Sequence, residues 1–273
     1  MIQSRQGIVQ SQWVERSRLR PWPVLFIAGI VLAITACEYI FTYQDVAYGI
    51  VIALALAMAI YLILSIFHFD QGITDCGESL ALIPLYILFT ASLPWFFISQ
   101  EYLLPAVYSC VIGLSLWHVY QKNLSLKEIF GFSKEKLLKY SLLGLAIGIP
   151  LGIGEYLVLR PAPAFPSFEV KYLLRDAVYM FGFVGIGEEL LFRGLIQRDL
   201  MDAFGLKWGL LGTAFLFAVM HLTWRSIPEL GFVFGAGLIL GILYYKTKSL
   251  VMPVVAHGVI NVILVSVLPY ILG

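Results

Sequence analysis

Long apolar runs separated by short polar breaks dominate the chain. Nine stretches stand out, at about 24–41, 46–67, 79–98, 102–120, 140–159, 172–199, 208–224, 228–245 and 250–270. Each comes close to the roughly 20 mostly apolar residues that a helix needs to cross a bilayer. The stretches that meet around Trp224 and Ser249 are tightly joined. Eight spans with a re-entrant or tilted segment therefore fit as well as nine. Apolar–polar alternation over ten-residue blocks is absent, which excludes a membrane β-barrel. The pattern predicts an all-α, polytopic transmembrane bundle.

Composition agrees. The 273 residues are 60% hydrophobic and 13% charged, and the mean hydropathy is +0.88. A soluble domain is about 45–50% apolar and about 25% charged. A soluble enzyme, a disordered chain and a disulfide scaffold are thereby excluded. The net charge of +1 leaves no electrostatic footprint for a nucleic acid. Cys37, Cys76 and Cys110 are widely spaced and read as buried small hydrophobes. The tetrapeptide ending at Cys37 resembles a lipoprotein cleavage site. With eight further spans behind it, a first membrane helix is the better reading.

Lys and Arg are unevenly distributed. Alternating spans put Arg5, Arg16, Arg18 and Arg20, the lysines between 122 and 139, Arg193, Arg198, Lys207, Lys246 and Lys248 on one side. Arg160, Lys171, Arg175 and Arg225 fall on the other. The positive-inside rule then predicts a cytoplasmic N-terminus in an integral, plasma-membrane protein, and an odd number of spans. Four segments follow. Residues 1–23 form a cytoplasmic arm, residues 24–120 four membrane helices, residues 121–139 an amphipathic cytoplasmic loop, and residues 140–273 the remaining spans. Residues 160–168 are a proline-rich loop on the opposite face.

Ionisable residues inside a membrane are costly and rare, so each is a candidate for function. They gather in the last third. The sixth span holds Glu188, Glu189 and Arg193. Glu189 and Arg193 are four apart and can pair on one helix face. Glu188 is rotated about 100° from that pair and faces another wall of the bundle. A desolvated carboxylate there suits a general base. The seventh span carries Phe217 and His221, with Arg225 one turn on, and the last carries His257 and Asn261 side by side at i, i+4. An Asn amide is a neutral donor of the kind that stabilises an oxyanion. By helical rise, Glu188, His221 and His257 lie at similar depth.

These residues resemble the CPBP family of membrane proteases, which includes the type II CAAX prenyl endopeptidases and the Abi proteins. The family's motifs E-E-x-x-x-R, F-x-x-x-H and H-x-x-x-N occur in order as Glu188-Glu189…Arg193, Phe217…His221 and His257…Asn261. The resemblance spans about 138–268, making 140–273 the catalytic core and 24–120 accessory. It implies a metal-independent, cofactor-free endopeptidase acting on a membrane-anchored protein or peptide. Glu188 and His221 would activate a water, while His257 and Asn261 would form the oxyanion hole. Glu189, Arg193 and Phe217 would support them. One position departs: CAAX proteases carry an Asn where this chain has Arg225, which either binds a substrate carboxylate or snorkels to the surface.

Two other readings compete. One is a zinc-dependent membrane protease, since two His and one Glu make an acceptable catalytic zinc set. No H-E-x-x-H pair lies on one helix. The other is a non-enzymatic scaffold or bacteriocin-immunity protein whose motif residues only join helices.

Overall fold

The computed structural model describes residues 21–92 and 98–273. Residues 1–20, with the arginines at 5, 16, 18 and 20, lie outside the described residues, and the last three residues read as the arm, 21–23, belong to the first helix. What is described is helical, as the hydropathy pattern predicts. Eight helices are long and apolar enough to cross a membrane: α1 (Pro21–Gln44), α2 (Val46–Ile66), α3 (Gln71–Ala91), α4 (Leu103–Gln121), α6 (Lys134–Leu159), α8 (Leu206–Trp224), α9 (Ile227–Thr247) and α10 (Val251–Leu272). Between α4 and α6 lies the short α5 (Leu126–Phe130). A ninth long helix, α7 (170–204), has the length to span, but Lys171, Arg175, Asp176, Glu188, Glu189 and Arg193 make it too charged to count among the eight.

Two boundaries differ from the hydropathy reading. α6 starts at Lys134, inside the segment read as a loop. α3 starts at Gln71 rather than near 79, and its first two turns are polar. Those turns have partners. Lys122 Nζ lies 2.6 Å from Asp199 Oδ2 and 3.6 Å from Asp75 Oδ1, and Ser79 donates to Asp199. The end of α7 is thus fastened to α3 and α4. His118 is buried there against Ser79 Oγ, 3.2 Å away. Cys37 and Cys76 are buried, but Cys110 is exposed on α4.

The lipid-facing surface is apolar. Leu32 on α1, Val51 and Met58 on α2, and Leu142 on α6 are among many large exposed hydrophobics. In water they would form a costly patch; in a bilayer they are the correct solvent.

α6 and α10 pack closely. Gly144, Gly148 and Gly152 recur every four residues on one face of α6. A Cβ on Gly148 would stand 2.6 Å from the Ala256 carbonyl oxygen, and one on Gly144 2.9 Å from that of Met252. Small residues at this spacing let membrane helices approach backbone to backbone, where dispersion and weak polar contacts replace the missing hydrophobic drive. This seam fixes the height of His257 and Asn261.

Candidate active site

α7 is not a uniform α-helix. Residues 180–185 and 190–197 are π-helical and flank a single α-helical turn, Ile186–Glu189. π-turns are rare and frequent at functional sites, because an added residue per turn re-aims side chains. Here they present two adjacent carboxylates to different walls.

Glu189 faces inward to an ion pair. Arg193 Nη1 donates to Glu189 Oε1 at 2.8 Å, and both side chains are fully buried. Arg193 also donates to the Gly237 carbonyl at 3.2 Å, and its guanidinium carbon lies 4.3 Å from the centre of the Phe217 ring. The same Glu189 oxygen is 2.7 Å from His257 Nδ1. Glu189 therefore bridges Arg193 and His257. A His ring held this way has its tautomer fixed by the carboxylate, leaving Nε2 to face the cavity chemistry.

Glu188 faces a different wall. Its Oε1 accepts from Tyr86 Oη at 2.8 Å and from Tyr108 Oη. The two phenols are 2.6 Å apart. Tyr86 sits on α3 and Tyr108 on α4, so the segment 24–120 contributes to this site. Gly187 allows the approach: a Cβ there would stand 3.0 Å from the Tyr108 ring. Among the described residues Glu188 Oε2 has no partner within hydrogen-bond reach, and it lies 3.8 Å from His257 Nε2.

Phe217 is the wedge between the remaining groups. Its ring stands edge-on to Phe192 at 5.2 Å and to His257 at 5.7 Å, and 4.8 Å from the His221 ring. His221 Nδ1 lies 2.8 Å from the Phe217 carbonyl oxygen. With Nδ1–H donated there, Nε2 of the neutral ring carries the lone pair.

Glu188, His221, His257 and Asn261 line one cavity of about 160 Å³. Arg225 is elsewhere: it donates to the Thr42 carbonyl at 2.6 Å and lies over the Tyr43 ring, at the end of α1. Among the described residues, no three His, Cys, Asp or Glu side chains are arranged to hold a metal ion.

Sequence reasoning missed four groups. Tyr86 and Tyr108 carried no signal, since a tyrosine in an apolar helix reads as an interfacial anchor. Glu155 on α6 lines the cavity, and Glu229 on α9 interacts with it; both are buried. The rule that every intramembrane carboxylate is a candidate would have found Glu155.

Residues 171–263 match the family model of the type II CAAX prenyl endopeptidases, Rce1-like. The match contains all three motifs and agrees with the resemblance to the CPBP family. It supports a CAAX-type intramembrane protease in general terms. No curated protein and no solved structure matches the chain.

Proposed function

We propose that this chain, Rce1-like over residues 171–263, is an intramembrane endopeptidase that hydrolyses a peptide bond in a membrane-anchored protein or peptide. The observation that carries the reading is the free oxygen of Glu188. One oxygen is held by two phenols, and the other is buried, unpartnered and beside two histidines on a shared cavity.

In this mechanism a water sits between Glu188 Oε2 and His221. Glu188 takes a proton as the water oxygen adds to the scissile carbonyl carbon. The tetrahedral oxyanion is met by the Asn261 amide and by His257, whose Nε2 becomes a donor when the ring carries its second proton. Collapse breaks the C–N bond, and the proton held by Glu188 goes to the leaving nitrogen. The products are a carboxylate and an amine, with no covalent enzyme intermediate. Arg193 and Glu189 act by positioning: they fix the His257 ring.

The chain acts in the cell membrane with its N-terminus in the cytoplasm, as the Lys and Arg distribution supports. Comparing protein termini in membranes carrying the wild-type chain or Glu188→Gln at matched expression tests the activity. A defined set of fragments should vanish in the variant. Identical profiles would leave the scaffold reading in its place.

A further inference from the structure

Three larger spaces lie at the ends of the helices. Two open on the lysine-rich face. One, of about 780 Å³, is lined by Asp75, His118, Lys122 and Asp199. The other, of about 380 Å³, is lined by Arg198, Tyr244 and Lys248. The third, of about 740 Å³, is a groove on the lysine-poor face, bordered by Glu101, Phe165, Tyr172, Arg175 and Tyr179. Of these three spaces, the groove alone borders the catalytic cavity. The two share Leu104, Met180 and Val265, whereas neither space on the lysine-rich face shares a lining residue with the cavity.

Toward the lysine-rich face the way is filled. Below Glu188, every residue of α7 from Leu190 to Gln197 is buried, and the Tyr86–Tyr108 pair closes the side facing α3 and α4.

From this adjacency we propose that the substrate reaches Glu188 through the groove on the lysine-poor face. The occupant is an extended polypeptide segment flanking the scissile bond, presented on the extracytoplasmic side of the membrane. The inference rests on the proposed endopeptidase activity and orientation. The volume falls within the range of about 300–1,000 Å³ typical of ligand sites. The walls suit a peptide. Phe165 stacks on Tyr172 with centroids 3.9 Å apart, and Arg175 lies 4.9 Å from the first ring and 5.3 Å from the second. Arg175 is neutralised by Asp176 at 2.6 Å, and Asp176 in turn accepts from Ser266. The Phe165 amide donates to Tyr270 Oη at 3.0 Å, which pins the proline-rich loop over the end of α10. With that cation paired by Asp176, the remaining carboxyls among the described residues lining the path are Glu101 in the groove and Glu155 and Glu188 in the cavity. The path therefore favours apolar, aromatic or basic side chains over acidic ones. A prenylated tail in the cytoplasm lies on the wrong side to use it.

The test places a single exposed cysteine on each face in a Cys110→Ser background: A164C beside the groove and K127C on α5. Both chains are treated with a membrane-impermeant bulky maleimide, in intact cells and after permeabilisation. A164C should label in intact cells and K127C only after permeabilisation. The adduct at 164 should slow release of the Glu188-dependent fragments at least tenfold, and the adduct at 127 should leave it unchanged. Reversed labelling, or a block from 127 and none from 164, overturns the entrance while the protease reading stands. If no fragment depends on Glu188, the activity itself fails and the entrance falls with it.

Discussion

Arg193→Met removes the deepest cation of the described bundle while keeping most of the side-chain volume. Arg193 and Glu189 are each fully shielded from solvent, and Glu189 Oε1 holds two short contacts, 2.8 Å to Arg193 and 2.7 Å to His257. Without Arg193 the carboxylate keeps only the histidine. Removing one partner of a buried pair costs about 3–5 kcal/mol, because the other charge is left uncompensated. Loss of the guanidinium from the Phe217 face, at 4.3 Å, adds roughly 0.5–2 kcal/mol. At about 1.4 kcal/mol per tenfold, the lower bound alone shifts the folding equilibrium by more than about a hundredfold. Glu189→Gln strands Arg193 in the same way. The double variant E189Q/R193M removes both charges and should lose less than the two single losses combined, by up to about 3 kcal/mol. Its activity should stay low, since His257 is no longer held by a carboxylate. Unfolding of the three purified variants in detergent, by heat or denaturant, measures the cycle. Strict additivity would refute the claim that Glu189 and Arg193 act as one buried pair.

Two further outcomes follow from the geometry. Tyr86→Phe and Tyr108→Phe each delete one donor to Glu188 Oε1. A hydrogen bond to a charged group is worth about 1.5–3 kcal/mol, so each should lower the turnover of Glu188-dependent cleavage by about 10- to 100-fold. Apparent substrate affinity should change little, and neither substitution should lower activity further in the Glu188→Gln background. A rise in KM with turnover intact would assign the phenols to substrate binding instead. Gly148→Val forces a side chain into the 2.6 Å gap at the Ala256 carbonyl. Overpacking should cost about 1–3 kcal/mol and reduce cleavage by displacing His257, one residue on; an unchanged melting temperature would show that the α6–α10 seam is looser than described.

Hydropathy located the membrane helices because the bilayer rewards long apolar runs and little else. It failed where polar residues have partners from distant parts of the chain. The first turns of α3 carry Gln71, Asp75 and Glu78, which lowers their hydropathy, yet Asp75 is neutralised by Lys122 across the helix packing. The motif residues of α7, α8 and α10 were legible because buried charges in a membrane are rare enough to be conspicuous. The Glu189–Arg193 pairing followed from i, i+4 spacing alone, and the structure has it. The partner of Glu188 did not follow from spacing. Tyr86 and Tyr108 lie 102 and 80 residues away, and nothing local marks a tyrosine that will meet a carboxylate. The π-helical turns that flank the two glutamates were also silent, since no proline or glycine pattern announces them.

The central claim is that Glu188 activates the attacking water without help from a metal ion. Purified wild-type and Glu188→Gln chains, reconstituted in liposomes with a protein identified from the missing fragments and treated with a chelator, test it most directly. The account predicts cleavage by the wild type in chelator and none by the variant, with the two chains melting at the same temperature. Cleavage by Glu188→Gln, or loss of wild-type activity in chelator with recovery on adding zinc, would contradict it.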